Sequence, residues 1–271
     1  MTQLSSRASS RRFDKWGHVS ILGAAALLGT GITLSPARAV MVDTELELCS
    51  SQRTFTEDFN ELRVASRVMN DKRWIAHTPW NGDFGDAVFT DPGPRTPFAI
   101  KDGVLSITAS KDETGKWRSG LLASMDGNGR GFAQQYGYFE TRAKLPPGPG
   151  LWPAFWIGTF QSSEQRRRKE PALEIDVIEH YGHSPAAFSS AFHIWNKTPD
   201  RNEQTSHVTD VASGSLYSDF RTYGVKVDER HITYYLDRRP IWQLDTPPEH
   251  KSPLQVLINL AMGSGFPIDK T

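Results

Sequence analysis

Alternation of apolar and polar side chains, the period-two mark of a half-buried strand, recurs along most of this chain. It predicts strands over 54–59, 74–77, 104–109, 117–124 and 136–145, then 151–158, and later 186–195, 220–227, 231–236, 240–244 and 254–262. Between them, 80–97 is dense in Gly, Pro, Asn and Asp and reads as a long loop, and 161–170 reads as a polar one. No stretch has the 3.6-residue period of an amphipathic helix, and there are no internal repeats. In 151–158, Trp152, Ala154 and Trp156 share one face, and Pro153, Phe155 and Ile157 share the other. One face is therefore aromatic, and the proline points to an edge or irregular position for this strand.

The most informative strand is 171–182, P-A-L-E-I-D-V-I-E-H-Y-G. Glu174 and Asp176 lie on one face, opposite Leu173 and Ile175, whereas Glu179 has the wrong parity. A β-bulge at Val177 or Ile178 would absorb one residue and return Glu179 to the acidic face, and bulges are common beside active sites.

Composition narrows the class. With 271 residues, 38% of them hydrophobic, the chain can build a sizeable core, and the even spread of aromatics favours one large all-β domain. Lys plus Arg and Asp plus Glu both total 31, so there is no basic excess for nucleic acid, and function must come from a local site. Arg7, Arg11, Arg12 and Lys15 precede an apolar run over 19–34 and then Ala37-Arg38-Ala39, the layout of a secretory signal peptide. The expected division is a signal over 1–39 and a mature domain over 40–271, secreted or periplasmic, with no stable membrane insertion after cleavage. Ser10-Arg11-Arg12-Phe13 also approximates a twin-arginine signal. Cys49 is the only cysteine, so no intramolecular disulfide is available and stability rests on packing.

Two carboxyl groups about 5 to 5.5 Å apart suffice to break a glycosidic bond with retention, one as nucleophile and one as proton donor. Glu174 and Glu179 would lie about four strand positions apart, roughly 13 Å between Cα atoms, a gap that two long side chains leaning inward can largely close. Asp176 between them would hydrogen-bond one Glu and raise the pKa of the acid by its like charge. Two other readings stay open from the residues alone: acids simply facing solvent, and three carboxylates binding a metal, with His180 and His183 as the nearby histidines.

The segment Glu174-Ile175-Asp176-Val177-Ile178-Glu179 resembles the bulge-bearing E-x-D-x-x-E signature of glycoside hydrolase family 16. Tyr136-Gly137-Tyr138-Phe139-Glu140-Thr141-Arg142, Gly150-Leu151-Trp152-Pro153-Ala154-Phe155-Trp156 and Ile258-Asn259-Leu260-Ala261-Met262-Gly263 resemble family segments in the same order. The resemblance implies a β-jelly-roll sandwich of two antiparallel sheets with a concave cleft, acting as a retaining endo-β-glycanase on β-1,3 or β-1,4 bonds of a β-glucan or bacterial exopolysaccharide. It assigns Glu174 as nucleophile, Asp176 as assisting carboxylate and Glu179 as acid and then base. Trp152, Trp156, His193 and Asn259 are the candidate substrate-binding residues. The implied protein is a monomer with a polysaccharide partner and no cofactor in the chemistry; a structural calcium ion is left open. Arg221 and Val227 stand where family members usually carry His and Trp, and the family's further strand after a segment like 266–269 is expected to be missing. The basic run Arg166, Arg167, Arg168 and Lys169 suggests a rim for an anionic polymer. A non-catalytic, lectin-like jelly roll and a transglycosylase using the same residues are the alternatives.

Overall fold

The computed structural model describes residues 46–80, 82–198 and 201–268, so the predicted leader over 1–39 lies outside the described residues. The principal strands are β1 (Trp117–Ala123), β2 (Gly137–Ala143), β3 (Leu151–Thr159), β4 (Ala172–Glu179), β5 (Ala187–Thr198), β6 (Arg201–Asp210), β7 (Arg221–Val227), β8 (His231–Leu236), β9 (Arg239–Asp245) and β10 (Leu254–Met262). They form two antiparallel sheets, one in the order β1-β10-β3-β4-β5-β6 and one in the order β9-β8-β7-β2. Short pairings at Trp74–Ile75 and Val64–Ala65 widen the larger sheet beyond β1. This is the all-β architecture that the alternation predicts, in the two-sheet sandwich that the family resemblance implies.

The period-two pattern sorts side chains between two apolar layers. Phe155, Ile157, Leu173, Ile175 and Ile178 of the larger sheet pack with Tyr223, Val225, Ile232 and Tyr234 of the smaller one to make the inter-sheet core. Ile175 and Ile178 are fully buried, so truncating either to Ala would cost about 2–5 kcal/mol. On the outer face of the larger sheet, Leu121, Ala154, Trp156, Leu257 and Ala261 form a second cluster, with Trp80, Phe84 and Trp152 packed against it. The acidic residues share this outer face. At the free edge of the smaller sheet, a cavity of about 750 Å³ lies beside β2 and is lined in part by Phe55, Phe132, Phe139, Phe155, Val256 and Ile258.

Several predicted elements are corrected. Residues 54–59 form no strand; Glu57 instead accepts from Arg73 Nε and Trp74 Nε1, so side-chain bonds rather than a ladder fix this segment. The polar loop 161–170 holds a short helix, α1 (Ser163–Arg167), closed by a capping box between Ser162 and Gln165. Pro153 lies in a central strand, not an edge. It is tolerated there because the β3–β4 ladder begins at Ala154, while the Pro153 carbonyl still accepts from His180 N at 3.0 Å. The alternation does not predict β6, because its sequence RNEQTSHVTD is polar on both faces and largely exposed. Arg221 pairs with Asp237 at 2.5 Å and Val227 is buried, so both departures from the family pattern are accommodated locally.

Candidate active site

The bulge falls at Val177. Along β3, Trp156 faces Asp176 and Phe155 faces Ile178, so two residues of β4 advance while one residue of β3 does. Along β5, Ala191 faces Asp176 and Ser189 faces Glu179, three steps on β4 against two. The Val177 carbonyl accepts from Ser190 Oγ at 2.9 Å. The consequence is the expected one for parity: Glu174, Asp176 and Glu179 stand opposite Gly158, Trp156 and Ala154, alternate positions of β3 and hence one face.

Each glutamate is held by an indole. Trp152 Nε1 donates to Glu179 Oε1 at 2.9 Å, and Trp195 Nε1 donates to Glu174 Oε2 at 2.9 Å. Between them Asp176 is buried, with its Oδ2 3.2 Å from His193 Nε2. His193 faces Glu174 across the β4–β5 ladder, and its ring stacks on Trp195 with centroids 5.1 Å apart. Trp195 is absent from the residues that the sequence nominates, although it lies two residues after His193 and so shares its face; that parity was the available signal. Tyr181 is absent as well. Its ring stacks on Trp152 at 6.2 Å and tilts against Phe266 at 5.4 Å, extending the aromatic surface beyond the end of β4.

The candidate substrate-contacting residues separate into two groups. Trp152 and His193 are half-buried beside the acids. Trp156 and Asn259 are 5% and 3% exposed and bond to one another, Trp156 Nε1 donating to Asn259 Oδ1 at 2.8 Å. Asn259 Nδ2 in turn donates to the Trp152 carbonyl at 3.3 Å. These two are buried under the site, with Trp80 and Phe84 of the 80–97 loop packed against Trp156.

Electrostatics follow from the crowding of acids in a desolvated row. Burial, then the Asp176 charge, push Glu174 up to about 8, opposed by His193 and the Trp195 N–H. Burial and the charge of Glu179 hold Asp176 well above the usual carboxylate range. Burial raises Glu179 also, opposed first by the Trp152 N–H. The row therefore keeps protons at pH values where exposed carboxylates have lost them, which is what a general acid requires. Glu174, Asp176 and His193 offer ligand atoms within 4.8 Å of one another. A cation there would have to displace the contact between His193 and Asp176.

An all-β sandwich with two indole-held glutamates flanking a buried aspartate on an aromatic-lined face has the makings of a carboxylate-based hydrolase of sugar bonds. The sequence profile of glycosyl hydrolases family 16 matches residues 95–266, and the chain belongs to that family. It is similar to the endo-1,3-1,4-beta-glycanases EglC and ExsH of Rhizobium meliloti (strain 1021). Identity is 32% for EglC and 31% for ExsH, over 80% and 90% of this chain but 48% and 54% of the relatives. The chain thus spans about half the length of these relatives. Among solved structures, a Bacteroides ovatus mixed linkage glucan family 16 protein in complex with a G4G4G3G product superposes with a TM-score of 0.61 at 25% identity, covering 80% of this chain and 91% of that one. Family 16 glycanases need no catalytic cofactor.

Proposed function

We propose that this chain is a retaining endo-β-glycanase acting on β-1,3 or β-1,4 bonds of a β-glucan or a bacterial exopolysaccharide. The observation that carries this reading is the Val177 bulge, which sets Glu174 and Glu179 on one face with Asp176 between them. Ionised Glu174 attacks the anomeric carbon while Glu179 gives its proton to the departing glycosidic oxygen, leaving a glycosyl ester on Glu174. Glu179, now a carboxylate, takes a proton from water; the hydroxide displaces Glu174 and the configuration is retained. Asp176 keeps a proton in the row, limiting repulsion between the glutamates, and His193 orients it. Trp152 and His193 are the side chains placed to touch the sugar, while Trp156 and Asn259 support Trp152 from beneath.

Both glutamates have raised pKa values, and the sugar-cleaving cycle needs one ionised and one protonated, so activity against pH is bell-shaped. Glu174→Gln and Glu179→Gln should each lower reducing-end release from mixed-linkage and β-1,3-glucan by at least about a hundredfold with sugar binding retained. Near-native activity in either variant would overturn the assignment. For export, the 1–39 segment acts as the signal and the mature domain works as a monomer outside the cytoplasm.

An anionic exopolymer is the finer substrate reading, resting on Arg166 to Lys169. Two of these arginines already have acidic partners: Arg167 pairs with Glu164, and Arg168 with Glu170 at 2.8 Å. Replacing the run with Ser should weaken action on an acidic polymer more than on a neutral glucan, and equal effects would remove this part of the proposal.

A further inference from the structure

The 80–97 loop is strapped to the outer face of the larger sheet at several points. His77, 8% exposed, sets its two ring nitrogens against two carboxylates, Nδ1 2.7 Å from Asp83 Oδ2 and Nε2 3.1 Å from Asp91 Oδ1. Thr78 N donates to Asp83 Oδ1 at 3.2 Å, and Arg67 approaches the same carboxylate at 3.6 Å. Farther along, Asp86 N donates to the Met262 carbonyl at 2.9 Å. Gly85 has φ +79°, and a Cβ there would sit 2.8 Å from that carbonyl, so only glycine lets the loop approach β10 this closely.

Between these anchors the loop delivers Phe84. Its ring lies 5.2 Å from Phe89, 5.5 Å from Trp152 and 5.9 Å from Trp156, edge-on to all three. Such aromatic contacts are directional, and each restricts the ring it touches. The Trp152 ring is thereby flanked by Phe84 and Tyr181, while its main-chain carbonyl accepts from Asn259. Its indole N–H is the group that holds Glu179.

We propose that Phe84 is a positioning residue for the proton donor: held in place by the His77 clamp and the Gly85–Asp86 strap, it fixes the Trp152 indole, which orients Glu179 toward the glycosidic oxygen. This rests on the assignment of Glu179 as the acid. A general acid acts only within hydrogen-bond reach of its target, so loosening its support costs rate where the leaving group needs a proton and little where it does not.

The test compares kcat/KM, which reports the bond-breaking step, on mixed-linkage β-glucan and on a 2,4-dinitrophenyl β-glucan oligosaccharide whose leaving group departs unprotonated. Phe84→Ala should lower the first about tenfold or more and the second less than about threefold. Phe84→Leu, which keeps apolar bulk against Trp152, should recover most of the loss, and His77→Gln should show the same asymmetry to a smaller degree. Thermal unfolding of each variant confirms folding, and if Phe84→Ala does not fold, His77→Gln carries the test. Equal losses on both substrates, or none, while Glu179→Gln keeps a strongly asymmetric loss, would overturn this inference alone. A symmetric or absent effect in Glu179→Gln would overturn the acid assignment and this inference with it.

Discussion

Replacing Glu174 by Gln should stabilise the folded protein, and by an amount that grows with pH. Burial and the neighbouring Asp176 lift the Glu174 carboxyl from 4.5 to about 8. Below about pH 4.5 the side chain is neutral folded and unfolded, so wild type and variant have nearly equal stability there. As pH rises from that point toward 8, the unfolded wild-type chain ionises freely while the folded one resists, and wild-type stability is lost across that window. The full separation corresponds to about 5 kcal/mol above pH 8. Part of it arises from Asp176, which can relax, so about half, roughly 2–3 kcal/mol, is expected to survive. For a domain of this size that is a gain of about 5–10 °C in Tm. The amide oxygen of the Glu174→Gln variant can still accept from Trp195, so the comparison isolates the charge. The assay is thermal unfolding of both proteins between pH 4.5 and 9. A Tm difference that is the same at both ends, or a variant that loses stability relative to wild type as pH rises, would refute the reasoning.

Two further predictions concern the geometry around the acids. Trp195→Phe removes the N–H that favours ionised Glu174, so the acid-side limb of kcat/KM against pH should move up by about one pH unit; an unmoved limb would mean the indole does not act on Glu174. Deleting Val177 leaves Glu-Ile-Asp-Ile-Glu, a regular strand whose alternation keeps Glu179 on the acidic face without a bulge, so the folded variant should stay β-rich by far-ultraviolet circular dichroism and retain measurable cleavage; complete loss of cleavage in a folded variant would show that sharing a face does not suffice to pair the glutamates.

The site was legible in the sequence where a period-two rule met an exception. Glu174 and Asp176 announced a face, and Glu179 announced a bulge because no regular strand could hold it there. Parity also grouped Trp152 with Trp156, while His193 came from the family resemblance, yet parity could not tell an exposed aromatic from a covered one. Trp156 and Asn259 share the face of the acids, but Phe84 and Trp80 arrive from a loop some seventy residues away in sequence, and no local pattern encodes that cover. β6 escaped for the opposite reason. Its neighbour β5 supplies the ladder, so a strand that is polar on both faces and largely exposed needs no apolar alternation to form. The short helix α1 did carry a local signal, the S-x-x-Q capping box at Ser162, which is easily lost in a polar stretch.

The claim that most depends on the bulge is that Glu174 and Glu179 play different roles in one displacement. Incubation with a 2-deoxy-2-fluoro β-glucan oligosaccharide bearing a 2,4-dinitrophenyl leaving group, followed by peptide mapping, tests it directly, because the fluorine slows turnover of the ester formed in the first step. The account predicts one equivalent of sugar covalently bound to the peptide containing Glu174, with the label on that residue and none in Glu174→Gln. A label on Glu179, or cleavage that inverts the anomeric configuration with no label on the protein, would contradict it.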